Sequence, residues 1–438
     1  MSFDLPPLPD GWAFTPLESC AVPGSISYGV VQPGSPVVQG VPIIRVNNFR
    51  DMRLDLSDVM RIAPEVEAKY GRTRLSGGEV LLTLVGSVGQ VAEVLKTCAG
   101  FNVARAVGVV KPANGIDAKW IAICLRSPLS QHLLGSRANT TVQTTINLKD
   151  VRALPIPIPP PAERQQIAEF VSALDDRIAL LRETSATLEA IAQALFKSWF
   201  VDFDPVRAKQ QGLAPAGMDE ATAALFPDSF EESTVGLVPK GWNVRALDEI
   251  ATYLNGLAPQ KFPPGDDSWL PVIKIAQLRK GDTISADRAG RNIKPEYIVQ
   301  NGDVLFSWSG SLEVGVWCGG EGALNQHLFK VTSKEFPKWF YLHWTRHYLD
   351  HFRQIAASKA TTMGHIQRVH LSESKAVVST AALLSAMDAY FAPLLARGIE
   401  NELQAQTLTS LRDTLLPRLI SGQLRLPQAE IELAEVTA

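Results

Sequence analysis

The chain says the same thing twice across a very long interval. Pro42-Ile43-Ile44-Arg45-Val46-Asn47-Asn48-Phe49-Arg50 is echoed by Pro271-Val272-Ile273-Lys274-Ile275-Ala276-Gln277-Leu278-Arg279, and Gly78-Glu79-Val80-Leu81-Leu82 by Gly302-Asp303-Val304-Leu305-Phe306. Shorter echoes lie at nearly the same offset: Pro9-Asp10-Gly11-Trp12 with Pro239-Lys240-Gly241-Trp242, Gly86-Ser87 with Gly310-Ser311, and Trp120 with Trp339. A long apolar-periodic segment follows each copy. The interval is far too long for a solenoid, so the pattern predicts a pseudo-twofold α+β chain of two similar modules, each built of short mixed strands and a few helices. The divisions read as module one (1–157), a long helix (158–200), a linker (201–234), module two (235–380), a second long helix (381–425) and a tail (426–438).

Pro155-Ile156-Pro157-Ile158-Pro159-Pro160-Pro161 is a stiff extended run that cannot be helical, and Glu163 then falls where a helix's first turn favours an acid. Ile167, Leu174, Leu181, Leu188 and Leu195 recur every seven residues, with Val171, Ile178, Ser185, Ala192 and Trp199 four residues after each. A seam held over about five heptads predicts coiled-coil packing. The second segment repeats it through Met387, Phe391, Leu394, Ala405, Leu408, Leu415 and Leu419, with a weak patch at Gly398 and Asn401 and two extra turns. Its start lacks the proline run and offers only Ser379-Thr380 as a cap. A helix from Ala162 to Phe200 would be about 58 Å long. Packed antiparallel, two such helices would act as a ruler between the modules, longer than one turn of B-DNA at about 34 Å.

The formal net charge of −3 conceals a partition. Residues 1–157 carry 15 Lys/Arg against 12 Asp/Glu and residues 235–380 carry 17 against 13, whereas 158–234 carry 6 against 13 and 381–438 carry 4 against 7. Mildly basic modules permit a polyanionic partner, and acidic helices suit a different one. Cys20, Cys98, Cys124 and Cys318 are too dispersed for a disulfide scaffold or a cysteine zinc site. No apolar run is long enough for a membrane span and the first residues lack a signal pattern, so a cytoplasmic chain without membrane contact is expected.

No Gly-Lys pair is present to build a Walker-type cradle, and no Gly-x-Ser-x-Gly elbow; the nearest text to an Asp/Asn-Pro-Pro-aromatic motif is Phe262-Pro263-Pro264-Gly265. His343, His347 and His351 stand at helical spacing but lack a His-Glu-x-x-His arrangement, and module one has only His132 in the matching segment. An aromatic packing helix is expected there, with no catalytic or metal site in the chain.

Leu154 to Ile167, read Leu-Pro-Ile-Pro-Ile-Pro-Pro-Pro-Ala-Glu-Arg-Gln-Gln-Ile, followed by Leu174-Asp175-Asp176-Arg177-Ile178 and by Ala194-Leu195-Phe196-Lys197-Ser198-Trp199-Phe200-Val201-Asp202-Phe203-Asp204-Pro205, resembles the central region of type I restriction-modification specificity subunits. Leu411-Arg412-Asp413-Thr414-Leu415-Leu416-Pro417-Arg418-Leu419-Ile420-Ser421-Gly422 resembles that family's distal region. The resemblance covers essentially the whole chain. It implies two target-recognition domains, each reading half of a bipartite double-stranded DNA target, held by an antiparallel coiled coil that sets the spacer and docks methyltransferase subunits. It implies no cofactor in this chain. S-adenosylmethionine, ATP and Mg would belong to two methyltransferase subunits and to restriction subunits. The rival reading is a coiled-coil protein-interaction scaffold without sequence-specific DNA binding.

Base reading needs paired donors and acceptors: Arg for guanine, Asn or Gln for adenine, with cations and hydroxyls on phosphates. Module one offers Arg45, Asn47, Asn48, Arg50 and Arg53, then Arg137, Thr140, Thr141, Gln143 and Thr144. Module two offers Lys274, Gln277, Arg279 and Lys280, then Lys359, Thr361, Thr362, His365, Gln367 and Arg368. Asn325-Gln326-His327 is a further candidate without a clear echo. Residues that recur at the same place in both copies, such as Gly86 and Gly310, are expected to be structural, and those that differ, such as Asn47 and Ala276, to carry differences in target.

Overall fold

The computed structural model describes residues 5–50, 52–138, 144–265, 268–358 and 364–437. The chain divides into two compact units, Met1–Arg177 with Thr407–Ala438 and Ile178–Gln406, so the division runs through both long helices, Pro161–Phe196 and Ala381–Ile420.

Unit one is organised by Val80–Thr83, a strand buried along its length. Alternation sends Val80 and Leu82 into one core, with Trp120 and Ile121 of helix Ala118–Arg126, and Leu81 into a second core with Val107 and Val109. It is central in an antiparallel sheet ordered Ser27–Tyr28, Val107–Val110, Val80–Thr83, Val91–Glu93. Beside it Val41–Ile44 pairs antiparallel with Met60–Ile62 and parallel with Asn102–Val103. The proline run is extended as expected: Pro155–Ile158 pairs with Ala13–Pro16. Ile167 and Val171 of the first long helix share a core with Leu415 and Leu419 of the second. Asp175 pairs with Arg412, and Glu163 with Arg425, so the halves run antiparallel here. The segment read as a tail is a helix, Leu426–Thr437, fixed by buried Ala429 and by Arg418 forking onto Glu432 at 3.0 Å. Gly422 ends the long helix at a left-handed φ of 69°, where a side chain would collide with Pro9.

Unit two repeats the plan. Its antiparallel sheet is ordered Thr252–Asn255, Leu328–Thr332, Val304–Ser307, Val314–Val316, and beside it Trp269–Ile273 pairs antiparallel with Arg288–Gly290 and parallel with Gly322–Leu324. Asn243–Ala246 pairs with Lys375–Val378 as its counterpart does in unit one. The core is aromatic: Phe391 stacks on Trp339 at 4.3 Å and stands edge-on to Trp199 at 5.6 Å. Trp199 is turned inward by a π-helical turn, Lys197–Val201, that closes the first long helix. His343 is buried and stacked on Phe196 at 5.2 Å, the aromatic packing expected of that helix. Ser185 donates to the Gly398 carbonyl at 3.4 Å, so the helix halves are antiparallel here also. At the weak patch Asn401 is buried, and neither of its amide atoms is bonded among the described residues. Thr380 caps the second helix, accepting from Leu383 N–H at 3.4 Å.

The segment read as a linker is folded instead. It forms helices Asp204–Gln210 and Glu220–Leu225 and a hairpin, Phe230–Ser233 with Gly236–Pro239. Val206, Phe226 and Val238 are buried in the aromatic core, which gives single apolar residues in polar text a place to pack.

Candidate nucleic-acid interface

Each unit brings four loops together along one edge of its sheets, stitched by matching backbone hydrogen bonds. In unit one Ala104 N–H donates to Ile44 O at 2.8 Å, Arg105 N–H to Val30 O at 2.8 Å, Leu84 N–H to Ala106 O at 2.7 Å, Ile146 N–H to Leu84 O at 3.0 Å and Gly86 N–H to Thr144 O at 2.9 Å. In unit two Asn325 N–H donates to Ile273 O at 3.2 Å, Gln326 N–H to Leu257 O at 2.9 Å, Trp308 N–H to His327 O at 3.3 Å, Ile366 N–H to Trp308 O at 3.0 Å and Gly310 N–H to Gly364 O at 2.8 Å. The loops approach so closely that a Cβ at Gly29 would overlap the Val103 carbonyl, and one at Gly256 the Asn325 carbonyl. Glycine is required there for room.

This register supplies an echo that the side chains hide. Asn325-Gln326-His327 occupies the turn that Ala104-Arg105-Ala106 occupies in unit one. Exposed Arg105, unsuspected from the sequence, is therefore a site candidate, and the signal that finds it is the strand register rather than residue identity.

The turn, the Arg45 and Lys274 positions and the Thr144 and His365 segments meet on this edge. Arg45 lies 3.9 Å from Asp58, and Lys274, its counterpart in the repeat, pairs with Asp287, so each unit holds a cation at this position beside its turn. In unit two the turn borders a cleft of about 650 Å³ lined by Gln260, Lys274, Arg288, Gln326 and His327 among others. Arg288 lies over the Trp269 ring at 4.2 Å. His327 Nδ1 is 2.9 Å from Ser309 Oγ, and Trp308 donates to Asn255 Oδ1 at 2.9 Å while facing His365 edge-on at 6.3 Å. Arg368 is exposed, donates to Tyr253 O at 3.1 Å and lies over Phe329. Such a set of amides, imidazoles and cations suits base edges and phosphates. Among the described residues no cluster of His, Cys, Asp and Glu is gathered to hold a metal.

Other candidates are placed differently. Asn48 is buried: its amide donates to Asp55 O and Asp58 O at 3.0 and 2.9 Å and accepts from Arg45 N–H at 2.9 Å. Gln277, its echo, is buried and accepts from Lys274 N–H at 3.3 Å. Both amides cap a helical turn and are corrected from base-facing to structural. Asn47 is exposed, as is Ala276 opposite it in the repeat. Arg53 pairs with Asp176 on the long helix at 2.9 Å, and Arg50 with Asp55 at 3.4 Å, so this hairpin serves its own unit's helix. Arg279 and Lys280 are exposed at the end of a short helix whose terminal Gly281 carbonyl accepts from Gln406. Arg137 is half-buried at the end of Pro128–Arg137, and Gln367 N–H donates to His370 Nδ1 at 3.0 Å at the start of Arg368–Glu373. Thr140, Thr141, Gln143, Lys359, Thr361 and Thr362 lie outside the described residues.

Comparison with known proteins places this geometry. The family model of the type I restriction modification DNA specificity domain matches residues 37–190 and 239–375. The type I restriction enzyme MjaIX specificity subunit of Methanocaldococcus jannaschii is 25% identical over 365 residues, covering 80% of this chain and 78% of the relative. The HindI specificity subunit of Haemophilus influenzae is 26% identical over 337 residues, covering 66% and 72%. The crystal structure of a type I restriction-modification S subunit from M. genitalium superposes with a TM-score of 0.51 at 15% identity, covering 93% of this chain and 96% of that one, a likeness of fold.

Proposed function

Since the chain belongs to the type I restriction modification DNA specificity family, we propose that it is the DNA-recognition subunit of a type I restriction-modification complex. Each unit reads one half of a bipartite double-stranded target, and the helical segments set the number of base pairs left unread. Two methyltransferase subunits and the restriction subunits assemble with it and carry the S-adenosylmethionine, ATP and Mg chemistry. This chain contributes recognition and no catalysis.

The observation that carries the reading is the loop edge formed by the same backbone bonds in both units but furnished with different side chains, Ala-Arg-Ala in one turn and Asn-Gln-His in the other. A surface repeated to meet one partner twice would keep its side chains. A surface that keeps its scaffold and changes its donors and acceptors suits two different half-sites. The cations beside each turn supply phosphate contacts, so affinity falls steeply with added salt.

The test is methylome sequencing of a methylation-free host expressing the chain with its methyltransferase subunit. One split, asymmetric motif is expected. A continuous motif, or a complex that binds random duplex as well as the methylated sequence, overturns the reading.

A further inference from the structure

A residue that reads a base should meet three conditions: a backbone position shared by both units, a side chain that differs between them, and polar atoms not already engaged. Asn48 and Gln277 fail the last two, since both are buried and both cap a turn. Arg45 and Lys274 fail the second, both being cations already paired with an aspartate. Asn47 and Ala276 differ, but alanine offers nothing to read. Asn325 is buried, and its Oδ1 accepts from His327 N–H at 3.1 Å.

Arg105 meets all three, and Gln326 meets the first two and keeps one of its two amide atoms unengaged among the described residues. Their backbone N–H groups make the same bond, to Val30 O and to Leu257 O. Arg105 is exposed and engages no ion pair or side-chain hydrogen bond among the described residues. Gln326 lines the open cleft, its Nε2 3.3 Å from His327 Nε2, and its Oε1 accepts no bond among the described residues. Arginine presents a fork to guanine O6 and N7, and glutamine an amide to adenine N6 and N7.

We propose that Arg105 and Gln326 are corresponding base-reading residues, Arg105 selecting a guanine in the half-site of unit one and Gln326 an adenine in the half-site of unit two. The cation beside each turn, Arg45 or Lys274, holds the adjoining phosphate. This inference rests on the chain being a DNA specificity subunit.

The experiment is competitive binding of the purified complex to duplexes in which every position of its methylated target is substituted in turn, for the parent chain and for Arg105→Ala, Arg105→Gln, Gln326→Ala and Gln326→Arg. The alanine variants should lose roughly ten- to hundredfold discrimination at one base pair of one half-site and leave the other half unchanged. Arg105→Gln should shift that one preference from guanine to adenine, and Gln326→Arg the reverse in the other half. An unchanged profile overturns the proposal. So does a uniform fall in affinity across all duplexes, the signature of a phosphate contact or of misfolding. A parent complex that discriminates at no position would instead sink the specificity-subunit reading itself.

Discussion

Around its central sheet, unit one packs Leu82, Leu84, Ile121 and Ile167; around the equivalent sheet, unit two packs Phe306, Trp308, Phe340 and Phe391. Backbone roles survive that exchange of aliphatic for aromatic filling. Thr83 Oγ1 donates to Ser87 O in one turn, Ser307 Oγ to Ser311 O in the other, and Gly29 and Gly256 leave room for the same close approach. The comparison separates three kinds of position: those fixed by backbone hydrogen bonds, those that fill volume and change together, and those that face outward and change in chemistry. Each kind answers differently to substitution.

The largest effects belong to the filling. Phe391→Ala removes a fully buried ring stacked on Trp339 and should cost about 4 kcal/mol, while Leu415→Ala in unit one should cost about 3 kcal/mol. Denaturant unfolding of both variants measures this. Equal costs would mean that the aromatic stack adds nothing beyond volume.

Next come the charges by which each unit ties its sheet domain to the first long helix. Asp175 accepts from two guanidinium groups, Arg126 at 2.8 Å and Arg412 at 2.9 Å, whereas Glu189 accepts from one, Arg346, and from the neutral amide of Gln193 at 2.7 Å. Asp175→Ala takes the carboxylate from largely buried Arg126 and leaves Arg412 with Asp413 alone, and should cost about 3 kcal/mol, against about 2 kcal/mol for Glu189→Ala. Were Glu189→Ala the costlier change, the tie in unit two would be the stronger. One step smaller is Asn48→Ala, which leaves two carbonyls and an N–H unpaired and should cost about 2 kcal/mol with the target motif unaltered. A changed motif with unchanged stability would return Asn48 to the reading surface.

What the sequence disclosed follows the same division. The repeat was legible where both copies keep the same residue for a backbone reason, and the helices were legible because heptad spacing is local. The amides of Asn48 and Gln277 misled because a capping amide and a base-reading amide are one side chain, distinguished only by burial. Phe203, Val206 and Phe226 looked like linker because isolated apolar residues show no period; a core formed by distant strands gathers them. Arg105 was invisible because its counterpart shares no side-chain feature with it, and only the parallel pairing of Val41–Ile44 with Asn102–Val103 aligns them.

Unit two also carries a pH response centred on a buried histidine. Burial, with Arg346 adding to it against the opposing pull of Glu189, lowers the His343 pKa from 6.5 to about 4. The unfolded chain then binds a proton between those values that the folded chain does not, so stability is full above pH 6.5 and falls as pH drops toward 4. By pH 5.5 the loss should be about 1 kcal/mol. His343→Phe should reduce that slope of the pH–stability profile, leaving the smaller part that His347, lowered by burial on the same helix, contributes; an undiminished slope in this variant would place its origin in another group.

The smallest expected effect is the most discriminating. Among the described residues the Arg105 side chain has no bonded partner to lose, and that of Gln326 has a single 3.3 Å contact with His327, so their alanine variants should stay within about 0.5 kcal/mol of the parent in unfolding. A scaffold residue cannot behave this way, because its polar atoms are engaged in the free protein and their loss registers before any DNA is present. A reading residue must behave this way, because its partner arrives with the duplex. Should either alanine variant lose 2 kcal/mol or more, that side chain is holding its turn together in the free chain, and the difference between Ala-Arg-Ala and Asn-Gln-His is one of packing rather than of target.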